Sequence, residues 1–316
     1  MAFILDLRFY SALLAKVRRR PLCLSHSQDV DGIVSAVLYL IKRPNAVVVL
    51  ARPHEVTKGW FSWFTWDFVA DLPCPRRAKV RVDHHKSNPP CADMEYHDPN
   101  APCAAILALK ALGLKGNRLA EKLVKMAIEA DTANIVSDET WDLNDAIKAA
   151  SYRERVRLVR ELAIKGIEVL NEEWIRKLIE KNRRIREITL KICDMLKIID
   201  EMIILVTKGV KLSYRGLCIE LEKRGAKFTC VLVPLRLRRY RLYLGASKES
   251  NYDASKIAKT LGGGGHKFAA GAIANNLEEA IKTIATYLNK DVLTIVIIDK
   301  DLSVRYETLN VQNHTR

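Results

Sequence analysis

At 316 residues the chain is long enough for two cores, and 49% hydrophobic with 28% charged residues excludes an intrinsically disordered chain. No apolar run reaches about 18 residues, which excludes an obvious membrane-spanning helix. The formal charge of +15, from 52 Lys plus Arg against 37 Asp plus Glu, favours a polyanionic partner, although stretches such as Arg153–Arg160 and Arg176–Arg186 also read as solvated helix faces.

Met1–Arg20 is apolar and closes on arginines. A secretory signal carries its positive charge first, so this segment reads as an amphipathic helix running to about Lys16. Seven cysteines (Cys23, Cys74, Cys91, Cys103, Cys193, Cys218 and Cys230) are scattered without a Cys-x-x-Cys pair. They are expected to be reduced core thiols of a cytoplasmic protein, with neither a disulfide nor a zinc site. Gln28 and Gln312 are the only glutamines beside abundant Lys, Arg and Glu, a balance toward which heat-adapted proteins tend.

From Pro21 the pattern alternates: a strand (Leu22–Ser25), a helix (Ile33–Ile41), a strand (Ala46–Ala51), then two more strands at Phe68–Ala70 and Lys79–Val82. Such alternation predicts a parallel sheet covered by helices, with ligands at the carboxyl ends of the strands. Residues 117–197 are helical in composition, and Glu172–Lys197 is expected to form one long helix leading out of the first domain. Strands return at Ile203–Thr207, Phe228–Val233 and Arg241–Ala246, followed by a helix, a glycine-rich loop, the helix Leu277–Asn289 and a strand near Val292–Ile298. The expectation is an α/β protein with a catalytic domain over 1–197 and a smaller α/β domain over 198–316.

Three of the early strands run directly into polar residues. His26, Asp29 and Asp31 follow the first, Asp71 follows Phe68–Ala70, and Asp83-His84-His85 follows Val80-Arg81-Val82. A single Asp at such a place is ordinarily a helix cap or turn former. Clustered with histidines and with Asp131 downstream, these residues instead form a set of oxygen and nitrogen donors without sulfur. That set suits Mn²⁺ or Mg²⁺, and one bridging carboxylate would let it hold two ions about 3.5–4 Å apart. Gly262–Gly265 followed by His266-Lys267 lets the backbone approach an anion closely and reads as a phosphate or nucleotide-end clasp rather than a hinge. Trp60-Phe61-Ser62-Trp63-Phe64-Thr65-Trp66 suits either base stacking or core packing. His54, His97 and His314 read as structural or surface residues.

In this order the motifs resemble the DHH phosphoesterase superfamily, in the branch with a DHHA1 second domain. RecJ-type exonucleases, nanoRNases that degrade short oligonucleotides and cyclic-dinucleotide phosphodiesterases belong there, and an archaeal source is the expectation. The resemblance covers about residues 20–275. It implies that His26, Asp29 and Asp71 hold one manganese and that Asp31, Asp71, His84 and Asp131 hold the other, with Asp71 as the bridge. It also implies that His85 contacts the scissile phosphate or gives a proton to the leaving group while Asp83 orients the histidines. Gly263, Gly264, Gly265 and His266 would hold the far end of the substrate, with Lys248 in the place of an arginine found upstream in relatives.

The implied partner is single-stranded or short nucleic acid, or a small nucleotide. Alternatives are a phosphodiesterase or phosphatase for cyclic dinucleotides or nucleoside bisphosphates, and a catalytically inactive replication scaffold. A homodimer and contacts with replication proteins stay open at this point.

Overall fold

A computed structural model describes residues 6–57, 59–86 and 88–311. His314 and the first five residues of the expected first helix lie outside them. The chain divides into two units, 1–182 and 183–316, with the division inside a long helix.

The first unit begins with helix α1 (Leu7–Val17), then strand β1 (Leu22–His26), helix α2 (Val30–Lys42), β2 (Val47–Ala51), the short α3 (Pro53–Val56), β3 (Trp66–Ala70), β4 (Ala78–Asp83) and β5 (Ala92–His97). Helices α4 (Ala104–Ala111), α5 (Arg118–Asp131), α6 (Asp138–Ala149), α7 (Tyr152–Lys165) and α8 (Glu173–Met195) follow. Among the described residues the five strands form one parallel sheet in the order β2-β1-β3-β4-β5.

Alternate side chains of the strands feed two separate cores. Cys23, Val48, Leu50, Phe68 and Val82 pack under α2, α4, α5 and α7, while Leu22, Leu24, Val47, Val49 and Val69 pack on the face covered by α1. A sheet buried on both faces needs apolar residues at successive positions, which is why the strands read as continuous apolar runs. The aromatic segment belongs to the second of these cores: Trp60, Phe61, Phe64 and Trp66 are buried there, and Trp63 is exposed. Strand β5 was not foreseen. It is one of the two edge strands, and its half-exposed sequence carries little alternation.

Cysteine chemistry departs from expectation. Cys74 and Cys91 form a disulfide, their Cα atoms 5.9 Å apart, while the remaining five cysteines are buried free thiols. Cys74 lies in the connection from β3 to β4 and Cys91 just before β5, so the sheet brings together two residues that sequence spacing does not pair.

The second unit adds β6 (Glu201–Val206), α9 (Tyr214–Lys223), β7 (Phe228–Pro234), β8 (Tyr240–Ala246), α10 (Ala254–Thr260), β9 (Gly264–His266), β10 (Ala269–Ala274), α11 (Leu277–Leu288), β11 (Val292–Ile298) and β12 (Val304–Asn310). They form a mixed sheet in the order β12-β11-β6-β7-β8-β10-β9, in which β11, β6 and β7 are parallel. One face packs against α10 and α11, and the other against α9 and the end of α8. No helix among the described residues is long and apolar enough to cross a membrane.

Candidate metal centre

The first sheet changes direction between β1 and β3, since β2 lies on one side of β1 and the chain then crosses to the other. Ligand sites in parallel sheets form at the carboxyl ends of the strands flanking such a switch. Here those ends carry His26 and Asp71.

His26 closes β1 and its Nδ1 lies 2.6 Å from Asp29 Oδ2 and 3.0 Å from Asp71 Oδ2. Asp29 caps α2 by accepting from the Gly32 amide at 3.0 Å. Gly32 is required there, because a Cβ would stand 2.5 Å from both the Cβ and the carbonyl oxygen of His26. Asp71 follows β3 at φ 54°, a left-handed conformation that Asp tolerates better than most residues, and its amide donates to the Val82 carbonyl.

Asp31, in the first turn of α2, is almost wholly buried. Its two oxygens accept from the Ala104 and Ala105 amides at the start of α4, both at 2.7 Å. His84 presents Nδ1 to the Ala101 carbonyl at 3.2 Å. Its Nε2 faces Asp131 at 3.5 Å and Asp31 and Asp71 at 3.8 Å each. When Nδ1 donates to that carbonyl, Nε2 is left as the lone-pair nitrogen aimed into the carboxylates. Asp131 ends α5 on the open side. Three groups of metal-ligating atoms result: His26, Asp29 and Asp71; Asp31, His84 and Asp131; and Asp71, His84 and His85.

The Asp83 carboxylate is fully buried and points away from this cluster. Its Oδ1 accepts from the amide and Nδ1 of His85 at 3.2 and 3.0 Å, and its Oδ2 accepts from Asn88 Nδ2 at 2.7 Å and Arg81 Nη1 at 3.2 Å. Arg81, also fully buried, reaches Glu95 through Nε at 3.0 Å and the carbonyls of Leu72 and Pro89 through its terminal nitrogens. His97 Nε2 lies 3.0 Å from the His85 carbonyl. Sequence reading missed Arg81, Asn88 and Glu95 and set His97 aside. One signal was present: Arg81 and Asp83 are two apart on a strand and so share a face.

Electrostatics show what the cluster lacks. Burial would lower the His26 pKa, but the Asp29 and Asp71 carboxylates outweigh it and hold the imidazole up to about 11. Asp31 is pushed well above its ordinary value by burial and by the charges of Asp71, Asp131 and Asp29. Asp71 is raised by burial and Asp29. Asp131 is raised to about 6 by burial against the pull of His84, with Asp71 and Asp29 adding. Asp83 resists burial through its bonds to His85 and Asn88 and is lowered, and it raises His85 to about 8. Asp71 Oδ1 is buried with no hydrogen-bond partner. An orphaned carboxylate oxygen amid repelling carboxylates, all hard O and N donors, fits divalent cations of the Mn²⁺ or Mg²⁺ kind.

A basic flank adjoins Asp29. Lys148 Nζ donates to the Gln28 carbonyl at 2.7 Å, and an open pocket beside it is lined by Arg8, Ser27, Arg52, Tyr152 and Arg155 together with Asp6 and Glu55. In the second unit, the glycine segment is not a free loop. Gly264–His266 pairs antiparallel with Ala269–Gly271 as an exposed edge hairpin. A Cβ on Gly263 or Gly265 would collide with the backbone of β10, so these glycines permit a close strand pairing. Lys248 is exposed in the turn after β8.

No protein-family profile and no curated protein sequence matches the chain. Solved structures do. A pGpG-specific phosphodiesterase from Vibrio cholerae aligns with 85% of this chain and 98% of its own at TM-score 0.64 and 18% identity. The exonuclease RecJ bound to manganese aligns with 89% of this chain and 92% of its own at TM-score 0.57 and 15% identity. An exopolyphosphatase-related protein from Bacteroides fragilis covers 92% and 98% at TM-score 0.53 and 15% identity. The chain therefore has the fold of DHH-domain proteins.

Proposed function

We propose that this chain is a metal-dependent phosphodiesterase that hydrolyses single-stranded or short oligonucleotides at the His26–Asp131 cluster. The observation that carries the reading is that Asp71 belongs to two of the ligand groups, with His26 and Asp29 in one and His84 and His85 in the other, while its Oδ1 is buried without a hydrogen bond, 3.4 Å from His85 Nδ1 and 3.8 Å from His84 Nε2. His26, Asp29 and Asp71 would hold one divalent cation, and Asp31, Asp71, His84 and Asp131 a second. Manganese is the expected ion and magnesium the alternative. Such ions neutralise phosphoryl charge and lower the pKa of a bound water.

The remaining residues act on the substrate. His85, held protonated near neutrality by Asp83, is placed to contact a phosphate oxygen and to give its Nε2 proton to the leaving oxygen. Asp83 positions that imidazole and is itself held by Asn88 and by Arg81, whose Nη1 lies 3.2 Å from its Oδ2. Arg52, Lys148 and Arg155 bring positive charge to the rim for a second phosphate. Gly263, Gly264, Gly265, His266 and Lys248 of the second unit would be further substrate contacts. RecJ and the Vibrio cholerae enzyme, which share the fold, are named for phosphodiester hydrolysis, and this supports the reading.

A second reading is hydrolysis of a cyclic dinucleotide or nucleoside bisphosphate by the same centre; the pGpG in the name of the Vibrio cholerae protein is a linear dinucleotide and favours the first. Both readings are tested by comparing turnover of a dinucleotide, a 20-nucleotide strand, a cyclic dinucleotide and pyrophosphate with Mn²⁺. The first predicts that the linear oligonucleotides lead by at least tenfold. Preference for the cyclic compound establishes the second, and preference for pyrophosphate contradicts both.

A further inference from the structure

The hairpin between β7 and β8 ends in a three-residue turn, Arg236–Arg238, closed by the Leu235 amide donating to the Arg239 carbonyl at 2.7 Å. Leu237 and Arg238 both adopt left-handed backbone, at φ 59° and 57°. Asn-Gly is the residue pair that relieves such a turn, so these side chains are kept at a conformational cost. Arg236, Arg238, Arg239 and Arg241 are all exposed, and Leu237 stands among them at 84% exposure. Elsewhere in this unit Arg215, Arg224 and Arg305 are engaged by carboxylates. No ion pair holds any of the four hairpin arginines among the described residues.

Topology adds to the patch. β6 runs parallel beside β7, so the loop after β6 emerges at the same end of the sheet with exposed Lys208 and Lys211. Neither 207–213 nor 234–241 contains an acidic residue. The glycine hairpin lies at the opposite end, where β10 pairs the last residues of β8. The two are separated by the length of the seven-residue β8, about 20 Å at the usual rise per residue.

We infer that the Arg236–Arg241 hairpin tip is a second nucleic-acid contact, gripping the phosphate backbone of a single strand several nucleotides from the glycine hairpin. The inference rests on the proposed function and deepens it, because a dinucleotide is too short to reach both ends of the sheet. Guanidinium forks match phosphate oxygens in pairs, and an exposed leucine among them offers an apolar contact to a base.

The test compares the full chain with Arg236→Ala/Arg238→Ala/Arg239→Ala. Binding of a labelled 20-nucleotide strand is read by anisotropy in chelator, and hydrolysis of that strand and of a dinucleotide is read with Mn²⁺. The expected result is at least tenfold weaker binding and slower hydrolysis of the long strand, with dinucleotide turnover within twofold of the parent. The log–log salt slope should become shallower by about 2, at about 0.7 per lost phosphate contact. Leu237→Asn/Arg238→Gly, which relaxes the turn, should melt no lower than the parent and still bind the long strand more weakly. Unchanged long-strand affinity in the triple variant overturns the inference. So does equal loss on both substrates, or displacement of the strand by polyglutamate as readily as by unlabelled oligonucleotide. If the parent chain hydrolyses neither nucleotide, the proposed function falls, while the binding comparison still judges the hairpin.

Discussion

Asp131 stands at the end of α5 beside His84, and its carboxyl shows how the proposed centre would trade protons for cations. With its pKa raised to about 6, it binds a proton more tightly folded than unfolded. The stability it contributes is fully present below about pH 4 and is lost as pH rises through about 6. His26, raised to about 11, contributes stability that is present below about pH 6.5 and is lost only as pH climbs through about 11. Asp131→Asn should therefore stabilise the metal-free chain by about 1 kcal/mol at pH 7.5, discounted for partial exposure, with no gain at pH 4. It should also shrink the thermal shift produced by Mn²⁺. Melting curves at the two pH values check both signs, and a destabilised metal-free variant at pH 7.5 would contradict the repulsion argument.

Arg81 is the residue on which the Asp83-His85 pair depends. Replacing it with methionine leaves the Asp83 carboxylate buried with only His85 and Asn88 as side-chain partners and removes the cation facing Glu95, at an expected cost of about 3–5 kcal/mol. Urea denaturation at pH 7 measures it, and a loss under about 1 kcal/mol would remove Arg81 from this role. Arg81 was illegible in the sequence because a charged residue in a strand ordinarily faces solvent, and its partner Glu95 sits on a strand that periodicity did not show.

At the scale of elements, the strands β1, β3 and β4 were readable because each is a short, largely apolar run ending in ligand-type residues. Every one of the six expected metal-binding side chains then falls at a strand end, a helix start or a helix end, and each takes part in at least one of the three ligand groups. Spacing could not reveal that Asp31 is gripped by the start of α4, a contact across more than seventy residues. The disulfide was likewise hidden. Cys74–Cys91 joins the segment after Asp71 to the segment after His85, and Arg81 bonds to both through Leu72 and Pro89. A cross-link closing a loop of this length contributes about 3 kcal/mol through the unfolded chain. Dithiothreitol, or Cys74→Ser/Cys91→Ser, should lower stability by that amount. Full alkylation of both cysteines without reductant would show that the bond does not form.

For the whole molecule, the two-unit α/β organisation follows from where strand patterns stop and resume around a long helical region. The first unit carries the charged centre, and the second carries the exposed glycine and arginine hairpins. What the sequence could not convey is that the glycine segment is a paired edge strand, because that depends on β10, whose alanine-rich run has little strand signature. The proposed two-cation centre stands or falls on Asp71 as its bridge. Hydrolysis of a dinucleotide by chelator-treated protein resupplied with Mn²⁺ tests it most directly, beside Asp71→Ala and His85→Ala. The account predicts turnover that needs the added metal, drops by at least a thousandfold in Asp71→Ala and by about a hundredfold or more in His85→Ala. Turnover that survives in Asp71→Ala, or that proceeds at full rate in chelator, would contradict it.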